Sequence, residues 1–176
     1  MDQADLLALI RPGVPGPGTW AELGSGDGNF TLALAELLQP GGKVYSVDRV
    51  GAALSRQRQR VDQAHLDGVT FEFLEADFTK PLDLPSLDGL LMANSLHFIR
   101  RKEETLRLVR GYLKPAGRLL VVEYAADRGN PWVPYPMSFE TWKLAAVAAG
   151  FSEPRQLGLH PSRWLNGIYS AVSVRQ

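Results

Sequence analysis

From Thr19 onward, short apolar runs alternate with stretches whose apolar residues return every three or four positions. The runs TWAELG, KVYSVD, VTFEFLEAD, LDGLLMAN and RLLVVEYA have the length and composition of buried strands. Between the first two, Phe30, Leu34, Leu37 and Leu38 form one stripe of a helix starting near Asn29, which Pro40, Gly41 and Gly42 end. A second helix from about Gly51 turns Leu54, Val61 and Ala64 inward, leaving Arg56, Arg58 and Arg60 among glutamines on a solvated face. A third over about 101–113 buries Leu106, Val109 and Leu113, and the turn Lys114 to Gly117 leads into the fifth strand. Ser138 has the character of an N-cap for a helix carrying Trp142, Ala145 and Ala149 to a stop at Gly150. PRQLGL and GIYSAVSV then read as two closing strands. Strands alternating with helices predict βαβ units and a parallel sheet. Residues 1–18 are expected to add a short helix and the Pro- and Gly-rich linker RPGVPGPG, with the core of a single domain over 19–176.

At 176 residues the chain has the size of a single domain, and 45% hydrophobic with 22% charged residues is ordinary globular usage. Lys+Arg and Asp+Glu both number 19, so no global field favours nucleic acid or an anionic membrane. The absence of cysteine removes disulfides, thiolate nucleophiles and Cys-ligated metals. Leu6 to Ile10 is too short for a signal sequence, and no apolar run approaches the roughly 18 residues of a membrane span. A cytoplasmic protein outside the membrane is expected.

The segment Ala21 to Phe30, AELGSGDGNF, joins the first strand to the first helix, where a doubly wound sheet makes its ligand crevice. Three glycines let the backbone approach a ligand closely. Asp48 ends the second strand twenty positions after Gly28, the place for a carboxylate that accepts from both hydroxyls of a ribose. A dinucleotide site cradles a pyrophosphate, yet this loop has Asp27 inside it and Glu22 just before it. A nucleoside carrying an ammonium and a sulfonium instead of phosphate suits those acids better. The G-x-G-x-G spacing also departs from the G-x-G-x-x-G of nicotinamide sites.

The runs AELGSGDGNFT, SVDR, EADF, LDGLLMANSLHFI and LKPAGRLLVVEY, in that order, resemble the class I S-adenosylmethionine-dependent methyltransferases over about residues 18–150. The resemblance implies a Rossmann-like, doubly wound, mostly parallel seven-stranded α/β sheet with an antiparallel last strand and helices on both faces. It implies S-adenosylmethionine as cofactor, with Glu22 orienting the methionine end above Gly24, Ser25, Gly26 and Asp27. Asp48, with Arg49 beside it, would hold the ribose. Asp77 and the Phe78 amide would meet the adenine, and Asn94 would sit beside the methionine amine. From the residues alone, Glu22 and Asp48 also read as solvated strand-end acids, Asp77-Phe78-Thr79 as a capped turn, and Phe78 as core.

Methyl transfer from a sulfonium needs positioning and a dry pocket, and a base only when the acceptor must lose a proton. Asn94 to Phe98, NSLHF, lacks the Asn/Asp-Pro-Pro-aromatic pattern of enzymes that methylate base and glutamine amino groups. It is similar to the Leu-His pattern of quinone-biosynthesis C-methyltransferases, which implies a small-molecule acceptor. His97 is the candidate base, with a packing histidine as the other reading; His65 and His160 read as structural. No carboxylate stands at metal-ligand spacing from a histidine, so no metal is expected. The stretch Ala125 to Met137 reads either as an acceptor wall built from Trp132, Tyr135 and Met137, favouring an apolar or aromatic metabolite, or as an anchored surface loop. Two further readings stand beside this one: an RNA or protein methyltransferase, and a cofactor-binding subunit that works with a partner. Few residues precede Thr19 to cover the acceptor, and a homodimer would close such a pocket.

Overall fold

The computed structural model describes every residue except His65, Asp67, Arg163 and Trp164. Seven strands form one sheet: β1 (Thr19–Leu23), β2 (Lys43–Asp48), β3 (Thr70–Glu75), β4 (Leu87–Ala93), β5 (Leu113–Tyr124), β6 (Arg155–His160) and β7 (Ile168–Val174). Their order is β3-β2-β1-β4-β5-β7-β6. β1 to β5 pair in parallel, while β7 lies antiparallel between β5 and β6. This is the doubly wound, mostly parallel seven-stranded sheet that the resemblance implied, with β7 the antiparallel strand.

Both faces of the sheet are apolar because successive residues of its strands alternate between two cores. Leu119 and Val121 of β5 enter one core with Leu106 and Val109 of α4 (Lys102–Tyr112) and Trp142 of α5 (Phe139–Ala148). Leu120 and Val122 enter the other with Phe30 and Leu34 of α2 (Asn29–Leu38) and Leu6 and Ile10 of α1 (Gln3–Ile10). Helix α3 (Gly51–Gln63) packs on β2 and β3. Ser138 caps α5 by accepting from the Thr141 amide.

Three local expectations change. Residues 11–18 do more than link: Arg11–Gly13 form a 3-10 turn, and Gly13 is buried against the side chains of Leu120 and Leu157. The turn at 114–117 is absorbed into β5, where Ala116 takes a positive φ and the pairing with β4 slips between Leu87 and Gly89. In α3 the inward residues are Ala53, Leu54 and Gln57, whereas Val61 is half-buried and Ala64 exposed. Here a polar side chain takes an inward place because it has polar partners to meet.

Candidate active site

The carboxyl ends of β1, β2, β4 and β5 lie along one edge of the sheet, the edge at which open α/β sheets bind ligands. After β1 the chain turns sharply at Gly24, with φ +77°. A Cβ there would stand 2.5 Å from that of Ser95 and 3.1 Å from the Phe78 ring, so only glycine fits. Above Gly26, also at positive φ, a Cβ would meet nothing within 4 Å, which leaves open space over the loop.

The loop rests on a buried polar network. Thr31 donates its hydroxyl to Glu22 and accepts from the Gln57 amide at 2.8 Å. The Ser46 hydroxyl stands 2.5 Å from the Gln57 carbonyl oxygen and 2.7 Å from the Ser25 hydroxyl. Each of these side chains is buried, so partners are required, and together they tie β1, β2, α2 and α3 beneath the glycines. Burial pushes the Glu22 carboxyl up to about 8. From outside, Arg56 donates to Asp27 at 2.7 and 2.9 Å, and Arg60 to the Asp27 carbonyl oxygen and to Asn29. Thus Arg56 and Arg60 are fasteners of the loop, and Arg58 stacks over Phe73; the expected idle polar face is in use.

A cavity of about 540 Å³ opens over this loop. Eight of the residues implied to hold the cofactor line it: Gly24, Gly26, Asp27, Asp48, Arg49, Asp77, Phe78 and Asn94. Glu22 and Ser25 do not; both lie under the loop, in the network. Asp48 accepts from the Gly26 amide at 2.7 Å and from the Val50 amide at 2.9 Å, so it braces the loop while facing the cavity. Asp77 accepts from both the amide and the hydroxyl of Thr79, the capped turn, and these bonds hold its carboxyl below its ordinary value. Turn and cavity wall are therefore compatible roles for one carboxylate. The Asn94 amide oxygen is buried without a hydrogen-bond partner, and its backbone holds φ +51°. An unpartnered acceptor on a residue of the cavity wall is matched by an ammonium donor. With the open space over Gly26 and the ring of carboxylates, the donor set fits S-adenosylmethionine.

A second cavity of about 380 Å³ shares Asn94 and Phe98 with the first and adds His97, Tyr124, Trp132 and Val133. His97 sits on a 3-10 turn, Leu96–Phe98, directly after β4. Its Nδ1 lies 2.8 and 3.0 Å from the two carboxylate oxygens of Glu123, near the end of β5, and both side chains are buried. Sequence reasoning missed Glu123. The available signal was an acid inside the apolar run RLLVVEYA, since a buried carboxylate demands a partner. Of the stretch 125–137, Trp132 and Val133 line this cavity, whereas Met137 packs into the core with Trp142 and Tyr135 is 41% exposed and outside the lining, so one of the three expected wall residues is in place. Tyr135 donates its amide to the His97 carbonyl at 2.9 Å. Lys102 bridges the Ile99 and Tyr135 carbonyls at 2.7 Å each, and burial pushes its ammonium below the ordinary lysine value. His160 lies away from both cavities, 3.3 Å from Asp5, and His65 is outside the described residues. Among the described residues no His, Asp or Glu cluster has the makings of a metal site, and no helix is long and apolar enough to cross a membrane.

A family described as a methyltransferase domain matches residues 19–152. The chain is 32% identical over 126 residues to the ubiquinone/menaquinone biosynthesis C-methyltransferase UbiE of Ectopseudomonas mendocina, covering 71% of this chain and 47% of that protein. It is 29% identical over 154 residues to polyketide synthase 19 of Gibberella fujikuroi, covering 74% of this chain and 6% of that protein. The chain spans about half the length of the UbiE relatives it matches. Its fold is shared over the full length of both chains with a SAM-dependent methyltransferase from Aquifex aeolicus, at a TM-score of 0.73 and 18% identity. The match over residues 19–152, with the sheet order and the glycine loop, shows that the chain belongs to the methyltransferase-domain family and forms a class I S-adenosylmethionine-dependent methyltransferase domain.

Proposed function

We propose that the chain methylates a carbon atom of a small acceptor, with His97 as general base and Glu123 as the residue that positions it. The carrying observation is the buried His97–Glu123 pair beside a cavity that shares its wall with the cofactor cavity. The cofactor, when bound, supplies an electrophilic methyl group on a sulfonium that departs as a neutral thioether. An amine acceptor with a free lone pair would need no base, whereas carbon becomes nucleophilic only as a proton leaves. Glu123 occupies Nδ1, which fixes the tautomer with its proton on that nitrogen and leaves Nε2 as the lone pair available for abstraction. The carboxylate also stabilises the imidazolium that forms. Phe98, Tyr124, Trp132 and Val133 give the cavity an apolar, aromatic lining suited to a small acceptor. Similarity to a protein named as a C-methyltransferase points the same way.

The test is His97→Gln, assayed for transfer of labelled methyl groups to a panel of carbon acids, phenols, amines and thiols. Turnover on a carbon acceptor should fall about a hundredfold or more, with affinity for S-adenosylhomocysteine unchanged by calorimetry. Preferential labelling of amines, or full rate in the variant, would refute the reading. A second reading, a pocket completed by another protein surface, is favoured by the exposure of Phe98 and Trp132 at the acceptor cavity. Acceptor turnover that appears only above a threshold protein concentration, together with a dimer by light scattering, would support it.

A further inference from the structure

We propose that Tyr124 is a second catalytic residue, a hydrogen-bond donor to the acceptor oxygen on which charge develops as His97 removes its proton. This rests on the reading of His97 as base and adds to it the group that receives the charge. Tyr124 follows Glu123 at the end of β5, so strand alternation sends the two side chains to opposite faces. Glu123 is fully buried under His97, while Tyr124 lines the acceptor cavity with its ring edge-on to the imidazole, centroids 5.7 Å apart. No described residue hydrogen-bonds its hydroxyl. Burial and the Glu123 charge push the phenol above its ordinary value, so it keeps its proton wherever imidazole is an effective base. Asn94 and the Trp132 indole N–H are the other hydrogen-bonding side-chain groups among the described residues of this lining, and Phe98 and Val133 make the rest of it apolar.

A base and a donor side by side are matched to one proton and one neighbouring oxygen. His97 Nε2 takes the proton from the acceptor's α-carbon, or from its hydroxyl in a phenol. The released electron pair is delocalised to an enolate or phenolate oxygen, which accepts from the Tyr124 hydroxyl. The negative charge returns through carbon as the new carbon–methyl bond forms, and the pair of the breaking carbon–sulfur bond stays on sulfur. In a phenol the ring carbon then releases its hydrogen as a proton to restore aromaticity, and His97 returns the first proton to solvent. A preorganised donor aimed at developing oxygen charge in a water-poor site is an effective form of catalysis.

The experiment uses 4-nitrophenol, whose phenolate absorbs in the visible, titrated by pH in the presence of protein and saturating S-adenosylhomocysteine. With wild type, the bound probe should ionise at lower pH than free probe. Tyr124→Phe, which keeps the ring and its packing, should raise the apparent pKa of the bound probe by about one to two pH units, the ten- to hundredfold effect of one hydrogen bond to a charged oxygen. Affinity for S-adenosylhomocysteine should stay within about twofold, since Tyr124 is absent from that cavity. An unchanged titration in Tyr124→Phe, with a lost response in His97→Gln, overturns the donor role and leaves the base in place. A titration insensitive to His97→Gln overturns the base, and the proposal with it. A probe that fails to bind to wild type overturns the proposal, since the donor would then hold no oxygen of the reacting kind.

Discussion

Replacing Glu22 by Gln tests whether the network under the glycine loop holds a neutral acid. The carboxyl is 1% exposed, and burial lifts its pKa from 4.5 to about 8, helped by the Asp48 charge and opposed by the Thr31 hydrogen bond. Between those values the folded protein keeps a proton that the unfolded chain releases. The contribution of Glu22 to stability is therefore fully present below pH 4.5, declines as pH rises, and is gone above about 8. One pH unit within that window corresponds to about 1.4 kcal/mol, so wild type should lose roughly 2–3 kcal/mol from this group between pH 6 and 8.5. Glutamine cannot ionise. Its amide oxygen accepts from Thr31 as the acid does, while the unmatched NH2 adds a pH-independent cost of about 1–3 kcal/mol. Urea unfolding of both proteins at pH 6 and 8.5 isolates the effect, because every other titrating group is common to both. The variant should be the less stable protein at pH 6 and close the gap at pH 8.5. A stability difference that does not move with pH would mean that Glu22 is ionised in the fold, and the account of the network would fail.

Two further perturbations probe the loop and the acceptor wall. Asp48→Ala removes the acceptor of the Gly26 amide along with the carboxylate facing the cofactor cavity; calorimetry should show S-adenosylhomocysteine bound about 1.5–3 kcal/mol more weakly. An unchanged dissociation constant would place the ribose elsewhere. Lys102→Met keeps the stem and deletes the ammonium that joins the Ile99 and Tyr135 carbonyls. Unfolding free energy should fall by about 1–3 kcal/mol, and limited proteolysis should cut first between residues 125 and 137. Cleavage elsewhere would show that the clasp does not hold that segment.

Much of this architecture is legible in local patterns. β4 and β7 declare themselves because strands buried on both faces must be apolar at nearly every position, and the cavity-lining Asp48 because a strand-end carboxylate at that distance beyond the glycine turn reaches the crevice of a doubly wound sheet. What escaped is long-range. Glu123 is 26 positions from His97 and is made meaningful only by the pairing of β4 with β5. Gln57 looked like surface because helical periodicity marks apolar residues, not polar ones that find Ser46 and Thr31 inside. Glu22 and Ser25 sit within the glycine motif yet face the network rather than the cavity, a direction that depends on how the turn folds back over β2. The Pro- and Gly-rich stretch after α1 looked like a spacer because nothing in its composition shows Leu120 and Leu157 closing around Gly13.

The two cavities have Asn94 and Phe98 in common, so whatever fills one becomes part of the boundary of the other. Such a partition favours a compulsory sequence of arrivals. A nucleoside in the first cavity would cover the shared wall of the second, so the acceptor is expected to bind more tightly after it than before it. The expected order of release is the modified acceptor first and the spent nucleoside second. Steady-state kinetics would register this as a competitive pattern for S-adenosylhomocysteine against the cofactor and a non-competitive one against the acceptor.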